Sequence, residues 1–173
     1  MVTTILLAPS ARAEAVDRIV AVVGDRVVTL WDLQLEQLLG ERMPCPESVL
    51  CDPVQPLQER LVDRALVRGL AGDTPTYRPS TEDVELRLIA LRGAFPRPED
   101  FHDGLAGLGL SEGDLAGLLF SRMVVERYVH RHVALPVHAA GGGPEDYSER
   151  YEGWILEQRE QVRIRVIEPE EAP

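Results

Sequence analysis

The sequence predicts a mainly α-helical (α+β) chain with a small sheet formed by an N-terminal hairpin and a C-terminal strand. Three observations carry that prediction. Two β-branched runs, RIVAVV and RVV, flank Gly24-Asp25 near the start. Apolar residues then recur at helical spacing between Gly- and Pro-rich breaks through most of the chain. Close to the end, Val162 to Ile167 nearly alternates apolar with charged residues, the period of a strand with one buried face. An isolated hairpin is only marginally stable, so the terminal strand is expected to pair with it and bring the chain ends together.

Taken in order, Arg18 to Val23 and Arg26 to Val28 are the hairpin strands, and Gly24 supplies the positive φ that a two-residue turn demands. Thr29 with Asp32 forms the Thr-x-x-Asp version of a capping box, opening a helix expected through about Arg42. Residues 43–56 hold four prolines and read as a loop. A second helix is expected from Leu57 to Leu70, broken by Gly69, Gly72 and Pro75. Ser80 or Thr81 caps a third, from Glu82 to about Arg92. Pro96-Arg97-Pro98 stops it before a short helix from Glu99 to about Leu105. After the Gly107-Leu108-Gly109-Leu110 turn, Ser111 caps the longest helix, Glu112 to about His132.

That helix is apolar around much of its circumference, from Leu115 to Val133, as a helix packed by several neighbours is. Ala134 to Pro144, with three consecutive glycines, reads as a flexible connector. Glu145 to Glu160 is the closing helix, and Trp31 and Trp154 are expected to pack between the two chain ends. Glu168 to Pro173 is an acidic tail. No internal repeat is present in the sequence.

Two segments together carry a family likeness. Val16 to Leu33 (VDRIVAVVGDRVVTLWDL) resembles the opening of the SurA-type periplasmic chaperones: an apolar strand, a tight turn, a second strand ending in Thr or Ser, then a helix. Trp154 to Arg159 followed by Val162-Arg163-Ile164 resembles their closing helix and strand, and Leu57 to Val133 has the helical rhythm of their core. Gly24 stands where the family more usually has asparagine, a compatible exchange because both residues accept positive φ. The family commonly carries a parvulin-type prolyl isomerase domain between the long helix and the closing helix. Here the eleven residues Ala134 to Pro144 hold that place, too few for a domain. The resemblance therefore implies a chaperone core over 16–167 without isomerase chemistry. It implies an ATP-independent holdase for unfolded polypeptides such as outer-membrane proteins in transit. On that reading one edge of the long helix lines a client groove, formed by Leu91, Phe95, Phe101, Leu115, Leu119, Met123 and Tyr128; burial in the core is the alternative for each of these side chains. The alternative is an envelope assembly or scaffold subunit gripping one dedicated folded partner.

Composition narrows the remaining classes. The chain has 173 residues, 18 basic against 29 acidic, and a net charge of −11. That balance argues against nucleic acid and anionic membrane surfaces as partners. All basic residues are arginine, so a Schiff-base lysine and a P-loop are both excluded. No run approaches the roughly 20 apolar residues that span a bilayer. At the start, Val2 to Ala8 is apolar and Ser10-Ala11-Arg12-Ala13 ends in an A-x-A pattern. Residues 1–15 thus resemble the remnant of a secretory signal peptide, with export to a Gram-negative-type periplasm expected; a frayed arm is the alternative.

Cys45 and Cys51 are the only cysteines and lie in the proline-rich loop. In an exported protein this spacing reads as a structural disulfide, worth roughly 2 kcal/mol by loop closure; a redox pair and two unrelated thiols are the alternatives. His102, His130, His132 and His138 lack metal-ligand spacing, and no cofactor is expected. No G-x-S-x-G is present, and Gly104 to Leu110 lacks the strand and order of a phosphate loop. No catalytic residue emerges. The glycine-rich hinge permits a homodimer by exchange of the hairpin or the closing helix.

Overall fold

The computed structural model describes residues 18–40 and 42–167. The expected leader at 1–15 and the acidic tail at 168–173 lie outside the described residues. Strand β1 (Ile19–Val23) and strand β2 (Arg26–Thr29) form the expected hairpin, and β3 (Ile164–Val166) closes on the other side of β1. The sheet order is β2-β1-β3, antiparallel throughout, with Val22 opposite both Val27 and Arg165. Gly24 has φ +60 with no positive φ at Asp25, the pattern of a turn with glycine at its first central position. Two further backbone bonds extend the closure: Gly24 N–H donates to Arg163 C=O, and Ile167 N–H to Val20 C=O. The mainly α architecture with a small sheet made from both chain ends is therefore the observed fold.

The helices are α1 (Leu30–Leu39), α2 (Leu57–Ala71), α3 (Thr81–Gly93), α4 (Pro98–Gly107), α5 (Glu112–Val129), α6 (Leu135–Ala139) and α7 (Pro144–Gln161). Thr29, Ser80 and Ser111 each accept a bond from the N–H three residues on, and Asp32, Asp83 and Asp114 reach back to the cap N–H. These reciprocal bonds satisfy two of the donors that every helix start leaves free. α1 stops at Leu39, earlier than Arg42, since Gly40 begins the departure into the proline-rich loop.

The connector at 134–144 is corrected by the structure. α5 runs through a π-helical turn, His130–Ala134, directly into α6. Pro136 has no N–H for the carbonyl of His132, and the wider π turn accommodates its ring at that point. Gly142 N–H then bonds Val137 C=O and Gly141 N–H bonds His138 C=O, with Gly141 at φ +79. That is a Schellman ending, so the glycines terminate a helix. A Cβ at Gly142 would stand 2.7 Å from Val137 Cγ1. The non-helical hinge is residues 140–143.

Two apolar cores result, and α5 serves both. The first joins Val20, Val23 and Val28 of the sheet to Leu66 and Val67 of α2, Val125 and Val129 of α5, and Tyr151 and Trp154 of α7. The second joins Leu35 and Leu39 of α1, Leu91 of α3, Phe101 of α4, and Leu115, Leu119 and Met123 of α5. Trp31 belongs beside the second core, where its Nε1–H donates to Leu108 C=O at 3.2 Å. Only Trp154 lies between the chain ends, which corrects the expectation for Trp31. No helix among the described residues is long and apolar enough to cross a membrane.

Candidate functional site

The expected client groove is corrected in the same way. Leu91, Phe95, Phe101, Leu115, Leu119 and Met123 are buried in the second core, and Phe95 meets Phe101 edge-on at 5.4 Å. Tyr128 is half-buried and stacks on His132 at 4.2 Å. α3 and α4 fold over the apolar edge of α5, so the surplus seen in the sequence is contact area within the molecule.

One open concave surface lies elsewhere. A cleft of about 620 Å³ runs between α7, the first half of α2 and the proline-rich loop. Residues 148, 151, 152, 155, 156 and 159 line it from α7, spaced by three and four as one helix face. Glu59 and Asp63 face it one turn apart on α2. The third wall is held by the Cys45–Cys51 disulfide, whose Cα atoms are 6.4 Å apart. Pairing of the two cysteines is thus the observed state, and both half-buried cysteines line the cleft.

One end of the cleft is ionic. Asp63 is 1% exposed. It accepts 2.7 Å bonds from Gln55 Nε2 and Arg159 Nε, and Arg159 Nη2 stands 2.6 Å from it. Burial raises its carboxyl above the ordinary range, and the Gln55 bond and Arg159 only partly oppose this. Tyr151 is pushed far above the usual phenol range, first by burial and then by the nearby Asp63 charge. Behind the loop, Tyr147 donates to Glu47, whose other oxygen lies 2.9 Å from His130 Nδ1. Burial and the Glu47 contact hold the Tyr147 phenol protonated.

The same cleft has apolar lining as well. Val49, Ile155 and the disulfide form the wall, and Leu156 stands 57% exposed beside it. Val54, on the same loop, is 87% exposed. Such a surface offers contact area to an apolar segment while the Asp63–Arg159 end offers polar partners already satisfied internally.

The histidines stand apart from it. His132 meets Tyr77 Oη at 2.9 Å, and His102 lies 4.0 Å from Glu112. No group of three or more His, Cys, Asp or Glu among the described residues is placed to hold a metal ion. Sequence reasoning missed the Asp63–Arg159 pair, which joins positions 96 residues apart and has no local signature. The helical spacing of Tyr151, Ile155 and Arg159 was the one signal available.

No family model matches the chain, and no curated protein matches its sequence.

Proposed function

We propose that this chain is an ATP-independent holdase for unfolded polypeptides, working in the periplasm, with the cleft between α7 and the disulfide loop as its client surface. The observation that carries the reading is the exposed Leu156 lining that cleft beside the apolar wall at Val49 and Ile155. A client chain laid there would bury apolar area at roughly 25 cal/mol per Å², enough for weak, reversible capture without a nucleotide. The sequence resemblance at both chain ends and the sheet that joins them support the same reading. So does the disulfide, a bond that persists in oxidising compartments. The net charge of −11 would keep a loaded complex dispersed by self-repulsion. The reading assigns no catalytic step.

Light scattering of a denatured outer-membrane protein diluted into buffer tests it. Near-equimolar chain should suppress aggregation without ATP, and Leu156→Asp should lose at least half of that suppression. No suppression across several clients, or full suppression by Leu156→Asp, overturns the assignment. Stable retention of one folded partner would transfer the cleft to an envelope scaffold.

A further inference from the structure

Behind the disulfide, away from the cleft, three guanidiniums and two carboxylates meet in the interior. Arg64 of α2 and Arg122 of α5 lie 2.7 and 3.2 Å from one oxygen of Glu36 on α1. Arg87 of α3 holds both oxygens of Glu126 at 3.1 and 3.0 Å, and Arg122 Nε stands 3.5 Å from the same carboxylate. These five side chains are between 5% and 14% exposed. Among the described residues, three cations against two anions leave one positive charge in excess. The neutral acceptors around them are Leu50 C=O on Arg64 at 2.6 Å, Pro44 C=O on Arg87 at 3.0 Å and Met43 Sδ 3.7 Å from Arg122. The remaining contact is Cys51 Sγ, 3.0 Å from Arg122 Nη2 and 3.6 Å from Arg64 Nη2.

A disulfide sulfur is a weak neutral acceptor, whereas a thiolate is a full anion. The cluster therefore interacts far more strongly with reduced Cys51 than with the bonded form. Other charges near the loop are committed elsewhere: Glu47 to His130 and Tyr147, Asp63 to Gln55 and Arg159. Glu59, Asp52 and Glu152 line the cleft that Cys45 and Cys51 also line. Desolvation, with Arg64 and Arg87 nearby, already weakens the hold of Arg122 on its proton. A thiolate beside it would relieve that cost.

We propose that Cys45–Cys51 is a thiol–disulfide exchange site in which Cys51 is the leaving thiolate, received by Arg122 and Arg64. The co-reactant is a dithiol entering by the cleft that both cysteines line. Its thiolate attacks Cys45 Sγ and forms a mixed disulfide. The Cys45–Cys51 bond breaks, and its electron pair leaves on Cys51 Sγ. The second thiol of the donor, losing its proton, attacks the donor sulfur of the mixed disulfide. Cys45 departs and takes a proton. The donor is oxidised to a disulfide, the chain gains two electrons, and one proton is released because Cys51 stays ionised. This inference does not depend on the holdase reading.

The test is an anaerobic titration of the reduced full chain, following thiolate absorbance in the ultraviolet. One thiol should ionise at least one pH unit below the ordinary cysteine value of about 8.5. Arg122→Gln should move it back up by about one unit, and Glu36→Gln, which enlarges the positive excess, should move it further down. In dithiothreitol buffers at a pH well above both ionisations, Arg122→Gln should need up to about tenfold more reductant for half-reduction than the wild type, and the difference should shrink as pH falls. Arg64→Gln serves if Arg122→Gln does not fold. Two thiols titrating at or above about 8.5 in the wild type overturn the proposal, as does an arginine variant that titrates like the wild type.

Discussion

Asp63 and Phe101 show what single side chains contribute here. Burial holds the Asp63 carboxyl above its ordinary 3.8, so the folded chain binds that proton more tightly than the unfolded chain. Its contribution to stability is therefore fully present below pH 3.8 and declines as pH rises through the folded value. Asp63→Asn keeps an acceptor for Gln55 or Arg159 and removes the titration. Urea unfolding from pH 3.5 upward should show a decline in the wild type that the variant lacks, expressed against each protein's own low-pH value. Phe101 has a different role, filling the second core with no exposed area beneath Arg92, whose guanidinium lies 5.7 Å from its ring centroid. Phe101→Ala removes both the burial and its edge contact with Phe95, and should cost about 3–5 kcal/mol in urea unfolding. A loss below about 1 kcal/mol would mean that α4 does not pack where the structure places it.

At the scale of elements, the helix starts are local and the helix ends are not. Thr29 both ends β2 and caps α1, so one hydroxyl sets the turn from sheet to helix. Thr29→Ala removes that acceptor and should cost about 1 kcal/mol, read as a shift of the urea midpoint with unchanged slope. The same Thr/Ser-x-x-Asp spacing recurs at Ser80 and Ser111, which is why all three starts were legible in the sequence. The far end of α5 was not. A glycine run with two prolines has the composition of a linker. Here the π turn absorbs Pro136 and the glycines form a helix ending against Val137, a packing detail that composition does not encode.

For the whole molecule, the closure of the chain ends is the controlling contact. Among the described residues β3 pairs with the edge of β1 away from β2, and α7, which delivers it, also forms one wall of the cleft. Truncation after Val162 leaves that edge unpaired and exposes the sheet side of the first core. For a chain of this size each 1 kcal/mol moves Tm by roughly 2–4 °C, so a fall of at least about 4 °C is expected in a thermal melt. An unchanged Tm would show that the sheet is held by α2 alone.

The hairpin turn at Gly24, the helix order as far as α5 and the three capped helix starts were legible in the sequence, and the disulfide was one of the readings it offered for Cys45 and Cys51. Each of these rests on residues within a few positions of one another, where backbone sterics and local hydrogen bonds decide the outcome. Which apolar residues are covered is set by how the helices pack. The greasy face of α5 reads alike whether it meets solvent, client or neighbour, and α3 and α4 cover it. The same holds for the ionic contacts: Glu36 meets Arg122, and Asp63 meets Arg159, across most of the chain. Charge pairs at that separation leave no periodicity to read, because what brings them together is the packing of helices whose order in space the sequence does not state.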